Sequence, residues 1–220
     1  MRANTPLRKL VLLKRANRVA WNPREAFNFT VASEDNNLYS FDMRKLDIAT
    51  NVHKDFVSAV MDVDYSPTGR EFVAGSYDRS VRIFAYDGGR SREVYHTTRM
   101  QRVWAVRFSG DGMYVFSGSE DMNVRVWKAD ASAQVGPLLP RERKKAAYDA
   151  ALVQRFAHVP EVKRIARHRH VPKAIHKAAA LRREMEGSQR RKRDNTIKHS
   201  AHGSVQIKPA RKERIVAVKE

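Results

Sequence analysis

The chain has 220 residues, with 43 Lys or Arg against 24 Asp or Glu for a formal charge of +19, and 42% of it is hydrophobic. That apolar content supports a core and excludes disorder throughout, while the absence of cysteine excludes disulfide frameworks, thiol nucleophiles and cysteine-based zinc sites and fits a reducing compartment. No apolar run approaches the ~20 residues of a membrane span and the basic start lacks the apolar stretch of a signal peptide, so the expectation is a soluble intracellular protein without a membrane partner.

Charge divides the chain. Residues 1–130 carry 20 basic and 16 acidic residues and hold all three Trp, whereas residues 131–220 carry 23 and 8 and have only Tyr148 and Phe156 as aromatics. The core is therefore expected in the front. The rear buries little by itself and is expected to be helical only where something packs against it. Gly136, Pro137 and Pro140 mark the change.

From the start, Leu7 to Leu13 reads as an outer strand, and a repeat follows. A shift of 43 residues superposes Asp35, Asp78 and Asp121, then Ser33, Ser76 and Ser119, then Phe41, Phe84 and Trp127, and His53 on His96. Within each copy apolar residues alternate, as in Val19 and Trp21, Phe27, Phe29 and Val31, or Val63 and Tyr65, which is the period of a strand. Turn residues fall between these runs, at Asn22-Pro23, Ser66-Pro67-Thr68-Gly69 and Ser109-Gly110-Asp111-Gly112. A unit of three or four short antiparallel strands at this period is that of a β-propeller.

These copies resemble the WD-repeat family. The resemblance implies a hydrogen-bonded tetrad of His, Ser or Thr, Asp and Trp, in which a buried aspartate is satisfied by imidazole, hydroxyl and indole donors. The third copy matches best, with His96, Ser117 or Ser119, Asp121 and Trp127; the second has His53 and Asp78 with Phe84 in place of Trp, and the first has Leu10 where the His would stand. Three blades do not close a ring of four to eight. An all-β incomplete propeller over 1–130, carried on part of a longer protein, is the expectation.

After a linker at 131–140 the period becomes helical. Ala147, Ala151, Leu152 and Phe156 share one face of a helix over 141–158, Pro160 opens a short one to about His170, and Pro172 opens a third that runs to Glu186-Gly187. A basic helical extension over 141–195 and a flexible basic tail over 196–220 complete the predicted domains. Lys163, Arg164, Arg167, Arg169, Lys173, Lys177, Arg190, Arg191, Lys192 and Arg193 are the candidate RNA contacts, with only Glu161, Glu184 and Glu186 interspersed before Gln189. Each cation that reaches a phosphate displaces condensed counterions, and the scarcity of aromatics favours backbone over base recognition. Arg182-Arg183 and Arg190 to Arg193 also have the spacing of a bipartite nuclear address.

The string Arg164-Ile165-Ala166-Arg167-His168-Arg169-His170-Val171-Pro172-Lys173, with Trp21 to Phe29, Val60 to Gly69 and Arg99 to Val103, resembles the carboxy-terminal part of the suppressor-of-fibrillarin (Sof-like) family of nucleolar WD-repeat proteins. That resemblance implies a non-enzymatic scaffold of the small-subunit processome, in the nucleus and nucleolus, with precursor ribosomal RNA, small nucleolar ribonucleoprotein components and other processome proteins as partners. Phe41-Asp42-Met43-Arg44 resembles the Trp-Asp-x-Arg box by which some WD-repeat proteins dock on a cullin-RING ubiquitin ligase adaptor, with Asp42 and Arg44 matching. Substrate receptor of such a ligase is the second reading. No cofactor, small-molecule substrate or enzymatic activity is expected, because no phosphate-binding Gly loop or nucleophile motif is present. Metal is not expected at His168, His170 and His176, which are interleaved with cations. Asp62 and Asp64, at i and i+2 on a strand, are expected to face solvent or a partner.

Overall fold

The structure, a computed structural model, describes residues 6–134 and 136–219. It consists of two compact units, Met1–Ala129 together with Val171–Glu220, and Asp130–His170.

The first unit is built of three antiparallel sheets, one per repeat. The first blade has strands β2 (Ala16–Trp21), β3 (Asn28–Ser33), β4 (Asn37–Asp42) and β5 (Asn51–Lys54); the second has β6 (Val60–Tyr65), β7 (Glu71–Ser76), β8 (Val81–Ala85) and β9 (Ser91–Tyr95). The third has β10 (Val103–Phe108), β11 (Tyr114–Ser119) and β12 (Val124–Lys128). Neighbouring strands pair in sequence order, and β6 lies beside both β2 and β10, so the blades stand side by side with their first strands adjacent. WD-repeat blades in an unclosed ring are thus present as the repeat predicts.

The repeat reaches the backbone. Asn36, Arg79 and Met122, again 43 apart and each just after the repeated aspartate, adopt left-handed φ values of 72°, 66° and 64°. Arg and Met tolerate that conformation poorly, at a cost of about 1 kcal/mol each, so the tight turn is imposed by the ladders on either side.

Apolar residues fill the gaps between sheets. Ala32 and Leu38 of the first blade meet Val60, Val63, Tyr65, Phe72 and Phe84 of the second, all buried. Val73, Val81 and Ile83 then meet Val103, Val106 and Val115 of the third. Gly75 permits that approach, since a Cβ there would stand 2.7 Å from Val103 Cγ1 and 2.9 Å from Val106 Cγ1. On the other face of the first blade a third cluster, Val31, Tyr39, Phe41, Leu46 and Ala49, is partly covered by Leu10, Leu12, Ile215 and Val218.

Those last four residues belong to a two-stranded ribbon of β1 (Lys9–Leu12) and β13 (Ile215–Lys219), antiparallel with Leu10 opposite Val218 and Leu12 opposite Ile215. The outer strand read at Leu7 to Leu13 thus pairs with the far end of the sequence. Helix α3 (Lys173–His199) continues past Gly187, where the sequence suggested its end. Gly in a helix costs about 1 kcal/mol relative to Ala, and the flanking run of good helix formers offsets it. Within the stretch expected as a flexible basic tail therefore lie the last turn of α3 and all of β13.

The second unit contains α1 (Pro140–Arg155) and α2 (Pro160–Arg167). Proline at the first position of each needs no intrahelical donor there, and the Glu142 carboxylate accepts the Leu139 N–H at 3.0 Å.

Candidate nucleic-acid interface

The polar residues of the blades are used internally. His53, in β5, is fully buried; its Nδ1–H donates to the Gly88 carbonyl, and its Nε2 accepts from Ser40 Oγ at 3.0 Å. Ser40 accepts in turn from Thr30 Oγ1 at 2.8 Å, and Thr30 from the Tyr65 hydroxyl at 2.6 Å, so one chain of hydrogen bonds crosses from the second blade into the first. Burial pushes the His53 pKa down to about 4.

Asp78 does not receive this imidazole. Its carboxylate accepts from Ser80 N–H at 3.0 Å, Ser80 Oγ at 2.6 Å and Val57 N–H at 3.4 Å, and faces the buried Arg82 guanidinium at 3.6 Å. Burial raises its pKa, and Arg82 opposes the rise. Asp121 is paired with Arg125, whose two guanidinium nitrogens bind its two oxygens and hold its carboxyl well below the usual range. Trp127 Nε1–H donates to Ser117 Oγ at 2.8 Å, which decides between Ser117 and Ser119. His96 is half-buried at the end of β9. The structure therefore brings together Trp127 with Ser117, whereas of the predicted tetrad residues His53, Asp78, His96, Asp121 and Trp127, the four His53, Asp78, Asp121 and Trp127 are divided among separate networks. The reason is local: Arg82, four residues beyond Asp78, supplies the charge-assisted donor that the His53 imidazole would otherwise supply, and Arg125 stands in the same relation to Asp121.

Asp62 and Asp64 also turn inward. Asp62 accepts Val63 N–H at 2.9 Å and Val106 N–H at 3.0 Å and pairs with Arg18 at 3.3 Å; Asp64 accepts Phe108 N–H at 2.9 Å and Arg107 at 2.9 Å. The first strands of neighbouring blades do not pair by their backbones, and these carboxylates link them, as does Asn17, which donates to the Val60 carbonyl at 2.8 Å. The expectation of solvent-facing or partner-binding aspartates is corrected by this use. Nothing in the local sequence signals it, because the partners stand 44 residues away.

At the end of β4, Asp42 and Arg44 form a side-chain pair of 2.8 Å, with Arg44 stacked over Phe27 at 4.6 Å. Hydrogen bonds from Arg44 lower the Asp42 pKa. The Arg44 side chain is nonetheless 63% exposed.

Every candidate RNA contact is exposed. Lys163, Arg164 and Arg167 lie on α2 and Arg169 just beyond it, where its guanidinium also caps the carbonyls of Ala166 and His168 at 2.7 and 2.9 Å. Lys173, Lys177, Arg190, Arg191, Lys192 and Arg193 lie on α3 in the other unit. Arg182, read as one half of a nuclear address, is instead an anchor: Nη1 donates to the Phe56 carbonyl at 2.9 Å, Nη2 to Asn37 Oδ1 at 3.4 Å and Nε to Glu186 at 2.9 Å. It fastens α3 to the first blade, a contact across 126 residues of sequence that no local pattern announces. Among the described residues no group of three or more His, Asp or Glu is placed to hold a metal, and no helix is long and apolar enough to cross a membrane.

Comparison with known proteins agrees with this architecture. The family model of the WD domain, G-beta repeat, matches residues 49–84 and 92–128, and that of the Sof1-like domain matches residues 129–215, from the end of the third blade to the first residue of β13. "DDB1- and CUL4-associated factor 13" of Danio rerio is 51% identical over 219 residues, which is 100% of this chain and 49% of that protein. The Homo sapiens protein of the same name is 53% identical over 218 residues, 99% of this chain and 49% of its own length. "Protein SOF1" of Saccharomyces cerevisiae is 53% identical over 182 residues, 83% of this chain and 37% of that protein. The chain thus spans about half the length of the curated relatives it matches. On its blades, its helices and this similarity, the chain belongs to the family of WD-repeat proteins that carry a Sof1-like domain.

Proposed function

We propose that this chain serves as a non-enzymatic scaffold of a nucleolar pre-ribosomal particle, acting in small-subunit ribosomal RNA processing and assembly, with its basic Sof1-like region contacting RNA. The observation that carries the reading is the concentration of exposed cations in that region, in a chain 53% identical to Protein SOF1 over 182 residues. Mixed charges would suffice for solubility, whereas Lys163, Arg164, Arg167 and Arg169 crowd into seven residues whose nearest acidic neighbour is Glu161. Such a surface binds the phosphate backbone with little preference for sequence and with strong dependence on salt. Precursor ribosomal RNA, small nucleolar ribonucleoprotein components and other processome proteins are the partners of this reading, and the nucleus its compartment.

Crosslinking to RNA in cells followed by sequencing is expected to enrich precursor ribosomal and small nucleolar RNA; enrichment confined to messenger RNA would refute the reading. Replacing Arg164, Arg167 and Arg169 together by Ala is expected to lower the slope of log affinity against log salt by about 2, at roughly 0.7 per lost single-strand phosphate contact. An unchanged slope would show that these side chains face protein or solvent.

A second reading has its own observation. The names of the animal relatives associate them with DDB1 and CUL4, and Asp42 and Arg44 stand at an exposed strand end. Docking on the ligase adaptor through Arg44 predicts that Arg44→Ala abolishes co-purification of the adaptor while RNA association persists. Retention of both would exclude this box as the docking element.

A further inference from the structure

We infer that the cleft between α3 and the outer strands of the first blade is a binding site for the phosphates of an RNA backbone. This deepens the RNA-contact reading above and rests on it.

The cleft has a volume of about 410 Å³ and lies wholly within one compact unit. One wall is the face of α3 that carries Arg183, Gly187, Arg190 and Arg193, positions that helical periodicity places one above another. The opposite wall is Asn37 and Lys54 of the first blade, and the turn before β13 closes the end with Glu213 and Arg214. Six cations and two carboxylates line this space.

Pairing removes some of that charge. Arg182 is committed to Phe56, Asn37 and Glu186, which fixes the helix and neutralises one of the carboxylates. Arg214 faces the buried Asp35 carboxylate at 3.6 Å. Among the described residues Arg183 spends only Nε, on the Ala179 carbonyl, and keeps its terminal nitrogens. Among the described residues Lys54, Arg190 and Arg193 make no ion pair, so Glu213 is left against four cations that converge from two elements.

Convergence distinguishes this cleft from a basic stretch of sequence. Lys54 lies more than a hundred residues before Arg190, and neither would meet the other's ligand without the Arg182 anchor. Guanidinium forks match phosphate oxygens in pairs, and Lys54 adds a point charge opposite them. The chemistry of the walls excludes the competing ligands. Tyr39 is only 3% exposed, so the cleft offers no ring on which a base could stack, and its few apolar lining groups give no anchor for a peptide side chain. Arg191 and Lys192, on the same turn of α3, do not line it.

The test uses the full chain and a short fluorescein-labelled single-stranded RNA, with anisotropy read across a range of potassium chloride concentrations and circular dichroism confirming that each variant is folded. The Arg190→Gln/Arg193→Gln variant is expected to lower the salt slope by about 1.4, and Lys54→Gln by about 0.7, at about 0.7 per phosphate contact. Arg70→Gln/Arg90→Gln removes the same charge from exposed positions of the second blade, outside the cleft, and is expected to leave the slope unchanged. If this pair lowers the slope as much as Arg190→Gln/Arg193→Gln, and Lys54→Gln has no effect, the cleft is overturned as a site while RNA binding by the chain stands. Absence of salt-dependent RNA binding by the unaltered chain would overturn both. Tighter binding of fluorescein-labelled polyglutamate than of the RNA, weakened by Lys54→Gln, would assign the cleft to an acidic protein instead.

Discussion

His53 is held as a neutral imidazole by two demands at once. Its Nδ1–H is committed to the Gly88 carbonyl and its Nε2 accepts from Ser40, so a second proton would disrupt the chain that runs through Thr30 to Tyr65. With the folded pKa down at about 4 and the unfolded value near 6.5, the unfolded state binds the proton first as pH falls. The contribution of this residue to stability is therefore intact above pH ~6.5 and is lost as pH falls toward 4, to the extent of about 3 kcal/mol at ~1.4 kcal/mol per pH unit. Urea unfolding at several pH values tests this: His53→Gln is expected to be destabilising at pH 7 and to show a flatter acid dependence than the parent chain. Parallel curves would remove His53 from the acid response.

At the scale of elements, the blades are joined by side chains where sheets of a single blade are joined by ladders. Asp62 and Asp64 satisfy the backbone N–H groups of Val106 and Phe108 on β10, which have no strand partner on that side. Asp62→Ala strands a buried donor and removes the Arg18 pair, with an expected loss of about 1–3 kcal/mol. Asp64→Ala is expected to cost less, since Arg107 is 57% exposed and water can replace the carboxylate. Thermal unfolding of the two variants gives the order, and equal shifts would contradict the link assigned to Asp62. Helix α3 obeys the same logic: Arg182, bound to Phe56, Asn37 and Glu186, is as much a structural fastener as a charge.

For the whole molecule, the ribbon of β1 and β13 ties the two ends of the described chain together over the first blade. Leu10 and Leu12 from one end and Ile215 and Val218 from the other cover Val31, Tyr39 and Phe41. Ile215→Asp with Val218→Asp removes two partly buried apolar groups and places charge against that cluster, with an expected destabilisation of about 2–4 kcal/mol. Amide exchange supplies the check: protection is expected to fall across β1 and the β3–β4 ladder, and protection lost in β13 alone would show that the ribbon adds nothing to the first blade. In the third blade Phe116, Val124 and Val126 are 38%, 75% and 58% exposed.

The repeat and the division of charge are readable from the residues alone, because both are local or periodic properties. The 43-residue shift, the alternation of apolar residues and the Gly and Asn turns specify strands and their order, and Pro160 marks a helix start that the structure shows. The ten exposed cations are legible too, since charged side chains stay in water. Which polar residues meet depends instead on how the blades and helices pack. Arg82 rather than His53 faces Asp78, Arg125 pairs with Asp121, Asp62 and Asp64 reach across to the next blade, and Ile215 returns to Leu12, at separations from 4 to more than 200 residues. Lys54 and Arg193 face one cleft for the same reason: a hydrogen bond or an ion pair is satisfied by whatever stands within about 3 Å, and distance in space is set by packing rather than by position in the chain.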